Sequence, residues 1–461
     1  MKKYFLLMAV FSLTVAALLA VASQLGIARV PEYVPILARS VAALALLAYA
    51  AARRSLTIWI FVAMLVGLEI GLDWPHAALH LKVWGQIFLR LISVIIAPLL
   101  FATLVTGIAG HSDLKKVGRM AIKALIYFEV VTTLALFIGL AAINLSKAGV
   151  GVTLPSPGGA PSAPLARTTM TDVILKVFPE NIARSVAQNE VLQVVVFSII
   201  FGIALALVAE NKRRPMLAFC ESLAEVMFKF TNIVMLYAPV AVAAAIAYTV
   251  SQTGAGILLN LLQLLATLYV ALIVFVLGVL LPIALLARIP LRPFIHAITE
   301  PTSIAFATAS SEAALPIAME QMELFGVARP VVAFVIPTGY SFNLAGSALY
   351  LTLASVFVAQ VAGMRMSLGS QFMMVFTLML TSKGVAGVSR AALVILLGTA
   401  ASFGLPSGPI FILLGIDQLM DMGRTAVNVI GNCLAAAVIG RWEHDLEDRR
   451  LVKTEMERQA V

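Results

Sequence analysis

The chain has 461 residues, 61% of them hydrophobic and only 12% charged, with a mean hydropathy of +1.01. A soluble protein carries roughly a quarter charged residues, so a soluble fold is excluded; uncharged runs near 20 residues point to membrane helices, without the alternation of an outer-membrane barrel. The net charge of +9 lies in short clusters beside apolar segments, which fits orientation signals and not a nucleic-acid interface.

Residues 1–22, "MKKYFLLMAVFSLTVAALLAVA", have the basic start, apolar middle and small-residue end of a signal sequence, yet the run is long enough to stay as an anchor. We expect retention. Either way a second crossing at about 34–52 ends at Arg53 and Arg54, and further crossings follow at about 56–73, 85–109, 121–145, 190–209, 216–249 and 257–287. Starting inside, the basic clusters at 52–55, 113–123, 211–215, 287–293 and the tail from Arg441 all fall on the cytoplasmic side with both termini. The segment 146–189, with "TLPSPGGAPSAP", falls outside and reads as a disordered linker. Cys220 and Cys433 lie in apolar segments, which suggests neither a disulfide framework nor a thiolate metal site. No His/Glu metal pattern, nucleophile elbow or nucleotide loop points to an enzyme.

After Arg292 the pattern changes. The segment 295–322 is interrupted by "ATASSEAALP", and 370–403 by "TSKGVAGVSRAA". Each precedes an apolar helix with polar residues: "PTGYSFNLAGSALY" at 337–350 and "DQLMDMGRTAVNVIGN" at 417–432. Two broken segments in corresponding positions predict an inverted repeat with a site at the membrane midplane. Such backbone is tolerated only inside protein or along a cavity. Two kinked but complete helices are the alternative.

The second polar helix is the most informative stretch. Asp417, Asp421, Arg424, Thr425, Asn428 and Asn432 step by helical spacings that confine them to roughly 100° of arc. A charge at the centre of a membrane helix costs roughly 2.5–3.5 kcal/mol, so three charges demand compensation. An Asp–Arg pair tying the helix to its neighbours would account for Asp417. The whole stripe is better explained by a guest of mirrored charge: arginine binds a carboxylate through two N–H groups, aspartate accepts an ammonium, and asparagine bonds a second carboxylate. Helix ends at the broken segments add backbone N–H groups for anions.

These stretches, with "FLRLISVIIAPLLFATLVTGIAG" (88–110), "NEVLQVVVFSIIFGIALA" (189–206), "ASSEAALP" (309–316) and "TSKGVAGV" (381–388), resemble the dicarboxylate/amino acid:cation symporter family from about Leu56 to Trp442. The resemblance implies an all-α polytopic membrane protein with the glutamate-transporter fold: inverted repeats, two re-entrant helical hairpins and a homotrimer, here with two extra N-terminal helices. It divides the chain into extra helices (1–55), scaffold helices (56–120 and 190–256), a transport-domain helix (121–145), an outer loop (146–189), a transport domain (257–440) and a cytoplasmic tail (441–461). The transport domain carries substrate across like an elevator. By the same resemblance Arg424 binds the substrate's side-chain carboxylate, Asp421 and Thr425 its amino group, and Asn428 its main-chain carboxylate. Ser310 and Ser311 fall at the first hairpin tip, Gly387 and Val388 at the second. Dicarboxylate carriers of the family have a small hydroxyl residue where Asp421 stands, so a symporter of glutamate and aspartate in the cell (inner) membrane is expected. The alternatives are a C4-dicarboxylate symporter and an uncoupled channel or receptor.

The chain departs from the family at its cation sites. Ala345 stands where an aspartate is usual in Asn343-Leu344-Ala345-Gly346, and Asn432 where sodium-coupled members have aspartate. Loss of two anionic oxygen ligands weakens sodium binding, although a site of backbone carbonyls near Thr338 survives in this reading. No resident cofactor is implied. The co-transported ion is expected to be a proton, with sodium as the alternative. Glu129 and Glu312 are candidate carriers; a structural hydrogen bond (Glu129) and a salt bridge or hairpin cap (Glu312) are the plainer roles. Lys383 supplies a tethered charge or snorkels to the interface. Arg390 points outward or pairs with Glu312, in place of an arginine that some members carry where this chain has Ala309.

Overall fold

The computed structural model describes residues 7, 8, 11, 12, 14, 15 and 31–446, apart from 32, 54, 110–115, 153–177, 189, 190, 255, 365, 383–390, 407 and 445. Seven helical segments among the described residues are long and apolar enough to cross a membrane, or eight if one bent pair forms a single crossing. The protein is all-helical and multi-pass. Most of the crossing expected in the first 22 residues lies outside the described residues, as does the second hairpin tip with Lys383, Gly387, Val388 and Arg390.

Helix α1 (Tyr33–Arg53) runs antiparallel to α2 (Leu56–Asp73). Arg39 on α1 donates to Glu69 at 3.0 Å and to both oxygens of Asp73 at 2.6 and 2.9 Å. A short α3 (Pro75–His80) leads into α4 (Lys82–Ala109), followed by α5 (Lys116–Ser146). Near the end of the expected linker a short α6 (Ile182–Ala187) forms, capped by the Asn181 side chain, which accepts from the N–H groups of Ala183 and Arg184. Helix α7 (Val191–Leu207) and α8 (Glu210–Leu236) both pack on α4. The crossing expected at 216–249 is not straight: α8 meets α9 (Ala238–Thr253) at 49°, with Pro239 in the first turn of α9. Proline lacks the N–H that a continuous helix needs there. Helix α9 packs along α2.

Helix α10 (Ile257–Phe275) continues through a π-turn at Val276–Leu280 into α11 (Leu281–Leu286). Helices α12 (Leu291–Thr308) and α13 (Ser311–Phe325) then pack on one another. The chain reverses at Ala309, whose φ of 50° is left-handed, and Ser310 caps α13 by accepting from Ala313 N–H at 3.3 Å. The next span is broken into α14 (Arg329–Phe342) and α15 (Ala345–Val361) at Asn343 and Leu344. Helices α16 (Leu368–Thr381) and α17 (Ala391–Ser402) also pack together, followed by α18 (Gly408–Leu413) and the long α19 (Asp417–Glu443).

The two polar spans are the inner ones. In the most apolar stretches of Arg329–Val361 and Asp417–Glu443, 94% and 89% of residues are buried, against 17–50% in the other straight spans. Helices α10, α12, α13, α14 and α15 all pack on α19. Its polar stripe therefore meets protein and not lipid, as the insertion penalty requires. At the far end of α19, Glu443 pairs with Arg119 and Lys123 of α5 at 2.6 Å each, and Arg441 donates to the Arg288 carbonyl. Three of the basic clusters thus meet at one end of the bundle.

Candidate functional site

The site is built where α19 crosses the break between α14 and α15. Asn343 and Leu344 leave helical geometry, so the N–H groups opening α15 have no preceding turn to bond. Asn428 supplies the acceptor: its Oδ1 lies 2.8 Å from Gly346 N and 3.3 Å from Ser347 N. Its Nδ2 donates to Ser347 Oγ at 3.0 Å. The two backbones approach so closely that a Cβ on Gly346 would sit 2.3 Å from the Arg424 carbonyl oxygen. Only glycine fits there.

One turn toward the start of α19, Arg424 is almost wholly buried. Its Nε donates to Asp421 Oδ1 at 2.8 Å and its Nη1 to Asp417 Oδ1 at 3.3 Å. Thr425 Oγ1 donates to the same Asp421 oxygen at 3.3 Å. The guanidinium carbon lies 4.2 Å from the centre of the Tyr350 ring, and the Tyr350 hydroxyl donates to Asp417 at 3.3 Å. One arginine nitrogen, Nη2, has no hydrogen-bond partner among the described residues.

A turn further along α19, Asn343 Nδ2 donates to Asn432 Oδ1 at 3.0 Å. Both residues are fully buried, and Asn343 Oδ1 and Asn432 Nδ2 are unpartnered among the described residues. Ala345 is fully buried beside them at the start of α15, while Thr338 is half-buried on α14.

The helical stripe read from spacing is thus one face in space, turned toward the α14–α15 break. Arg424 is a partner of both Asp421 and Asp417 on its own helix, one guanidinium for two carboxylates. The Asp417–Arg424 pair joins two residues of one helix, and Tyr350 links it to α15. Sequence reasoning passed over Tyr350 and Ser347, although their i, i+3 spacing after the helix break marks one polar edge.

The remaining candidates lie elsewhere. Ser311 is buried and Ser310 caps the turn between α12 and α13. Glu312 is exposed in the first turn of α13 and interacts electrostatically with Lys229 of α8. Glu129 is half-buried on α5, where Thr133 Oγ1 lies 3.4 Å from its carboxylate. Gly387 and Val388 lie outside the described residues.

Residues 56–442 match the sodium:dicarboxylate symporter family. The chain belongs to that family. It is therefore a multi-pass, cation-coupled symporter of small molecules and not an enzyme. Similar symporters are the proton/sodium-glutamate symport protein of Bacillus caldotenax, 39% identical over 401 residues (85% of this chain, 95% of that one), and the proton/glutamate-aspartate symporter of Escherichia coli (strain K12), 38% identical over 421 residues (87% and 96%). A C4-dicarboxylate transport protein of Solibacter usitatus (strain Ellin6076) is 39% identical over 406 residues (87% and 95%). Overall likeness thus divides between two substrate classes, and the symporter's own site has to separate them.

Proposed function

We propose that this symporter moves glutamate and aspartate, and that the Arg424–Asp421 pair selects them. Breaking one partner away from a buried ion pair costs roughly 3–5 kcal/mol if the other is left uncompensated. An acidic amino acid brings a carboxylate for Arg424 and an ammonium for Asp421, so it separates the pair and leaves neither charge alone. A C4-dicarboxylate brings nothing for Asp421 and strands it. The observation that carries this reading is the 2.8 Å contact between Asp421 and a buried Arg424. The unpartnered Nη2 is a donor such a carboxylate would use.

The coupled ion in this reading is the proton. The amide pair Asn343–Asn432, next to Ala345, puts neutral groups where a sodium ion would prefer anionic oxygen. Glu129 and Glu312 remain the candidate carriers, and Thr338 the residue for a sodium site of backbone carbonyls. In the same reading α12–α13 and α16–α17 are re-entrant hairpins of an inverted repeat. Helices α5 and α10–α19 form the moving unit, α2–α4 and α7–α9 the scaffold, and α1 with the preceding segment is an addition. Three copies assemble, with both termini cytoplasmic, and the moving unit shuttles as an elevator.

Uptake of labelled aspartate and succinate by the purified protein in liposomes tests this, under separate proton and sodium gradients. Aspartate accumulation driven by a pH step without sodium is expected. Strong succinate uptake without aspartate uptake would reverse the substrate assignment; accumulation driven by sodium alone would reverse the coupling.

A further inference from the structure

A cavity of about 1170 Å³ opens at the end of the bundle opposite the Arg119–Lys123–Glu443 cluster. One wall comes from α4 and α9, with Lys82, Gln86, Tyr248 and Gln252. The other comes from the end of α5 and from α15, with Lys147 and Gln360. No aspartate or glutamate is among the described residues that line it. We propose that this cavity is a second, outer anion site, in which Lys82 and Lys147 hold the carboxylates of an acidic substrate before it reaches Arg424. The inference rests on the acidic-substrate reading above.

Three observations support it. First, among the described residues Lys82 and Lys147 make no side-chain hydrogen bond or ion pair, and the Lys82 Nζ lies over the Tyr248 ring, 5.1 Å from its centre. Two unpaired cations in a cleft with protein walls focus the field and concentrate anions. Second, Lys147 occupies a left-handed position, φ 51°, where glycine would be less strained. Its turn is fixed by side-chain bonds to three carbonyl or amide groups: Asn260 to the Ala148 carbonyl at 3.1 Å, Gln263 to the Ser146 carbonyl at 2.8 Å, and Gly149 N–H to Gln360 at 3.0 Å. These bonds fix the backbone of the turn, and with it the point from which the lysine side chain starts. Third, the positive-inside tendency disfavours lysine at this end, which is the outer one in the topology above.

The test compares wild type with K82Q/K147Q in phosphatidylcholine liposomes, following initial aspartate uptake at low and high salt. The double variant should raise KM about tenfold and flatten the salt dependence, and K82R/K147R should restore both. Equal KM and equal salt dependence in K82Q/K147Q overturn the proposal. A change in KM seen only with phosphatidylglycerol present also overturns it, and assigns the cavity to a lipid headgroup. If wild type takes up succinate and not aspartate, the substrate reading fails while the same comparison with succinate still decides the cavity. Equilibrium binding gives a second readout: R424A should keep weak aspartate or succinate binding that R424A/K82Q/K147Q loses, and no residual binding in R424A overturns the proposal.

Discussion

In the proposed reading selectivity turns on Arg424, whose two carboxylate partners are unequal. Asp421 is the nearer at 2.8 Å and shares its oxygen with Thr425; Asp417 is at 3.3 Å and is shared with Tyr350. Replacing Asp421 therefore leaves the arginine one carboxylate and the Tyr350 ring. Asp421→Ser is expected to fold, to lose aspartate uptake roughly 100-fold, and to gain succinate uptake in competition assays. Retention of the aspartate preference would count against the pair as the selector. Asn428 shows a different economy. From the family resemblance it reaches the substrate's main-chain carboxylate, whereas here its amide holds the first turn of α15. A carboxylate arriving at the same place would have to share or displace those bonds.

At the scale of elements, the crossing of α19 with the α14–α15 break depends on two close approaches of different kinds. A Cβ on Gly346 would meet a backbone oxygen of Arg424 at 2.3 Å, and on Gly339 a side-chain oxygen of Asn432 at 2.3 Å. Backbone cannot yield locally, while the tip of a side chain can. Gly346→Ala is expected to lower stability by roughly 1–3 kcal/mol and to abolish uptake by pushing α15 off Arg424. Gly339→Ala should be milder on both counts. Thermal unfolding in detergent and liposome uptake check the ranking; equal effects would show that the crossing is looser than its contacts indicate.

The whole molecule extends beyond the family match, which begins at residue 56. Helix α1 is fixed to α2 by Arg39, whose partners Glu69 and Asp73 have side chains only 12% and 9% exposed. Arg39→Ala leaves two carboxylates poorly solvated and close together. We expect a stability loss of roughly 1.5–3 kcal/mol, with aspartate uptake retained because α1 packs on α2. Loss of uptake in a folded Arg39→Ala protein would show that α1 takes part in transport.

Sequence alone determined the membrane class, most of the crossings and the single face shared by Asp417, Asp421, Arg424, Thr425, Asn428 and Asn432. Those follow from hydropathy and from helical period, which are local properties of the chain. It did not reveal the bend at Tyr237, the short helix at 182–187, or the roles of Tyr350 and Ser347. A proline near a helix start and an asparagine cap are weak signals until the neighbouring helices fix them. Above all, the partner of each buried charge was decided only in three dimensions. A stripe on one helix can face a guest, a neighbour or itself with the same spacing, and which of these holds depends on rotamers and on the helices that close around it.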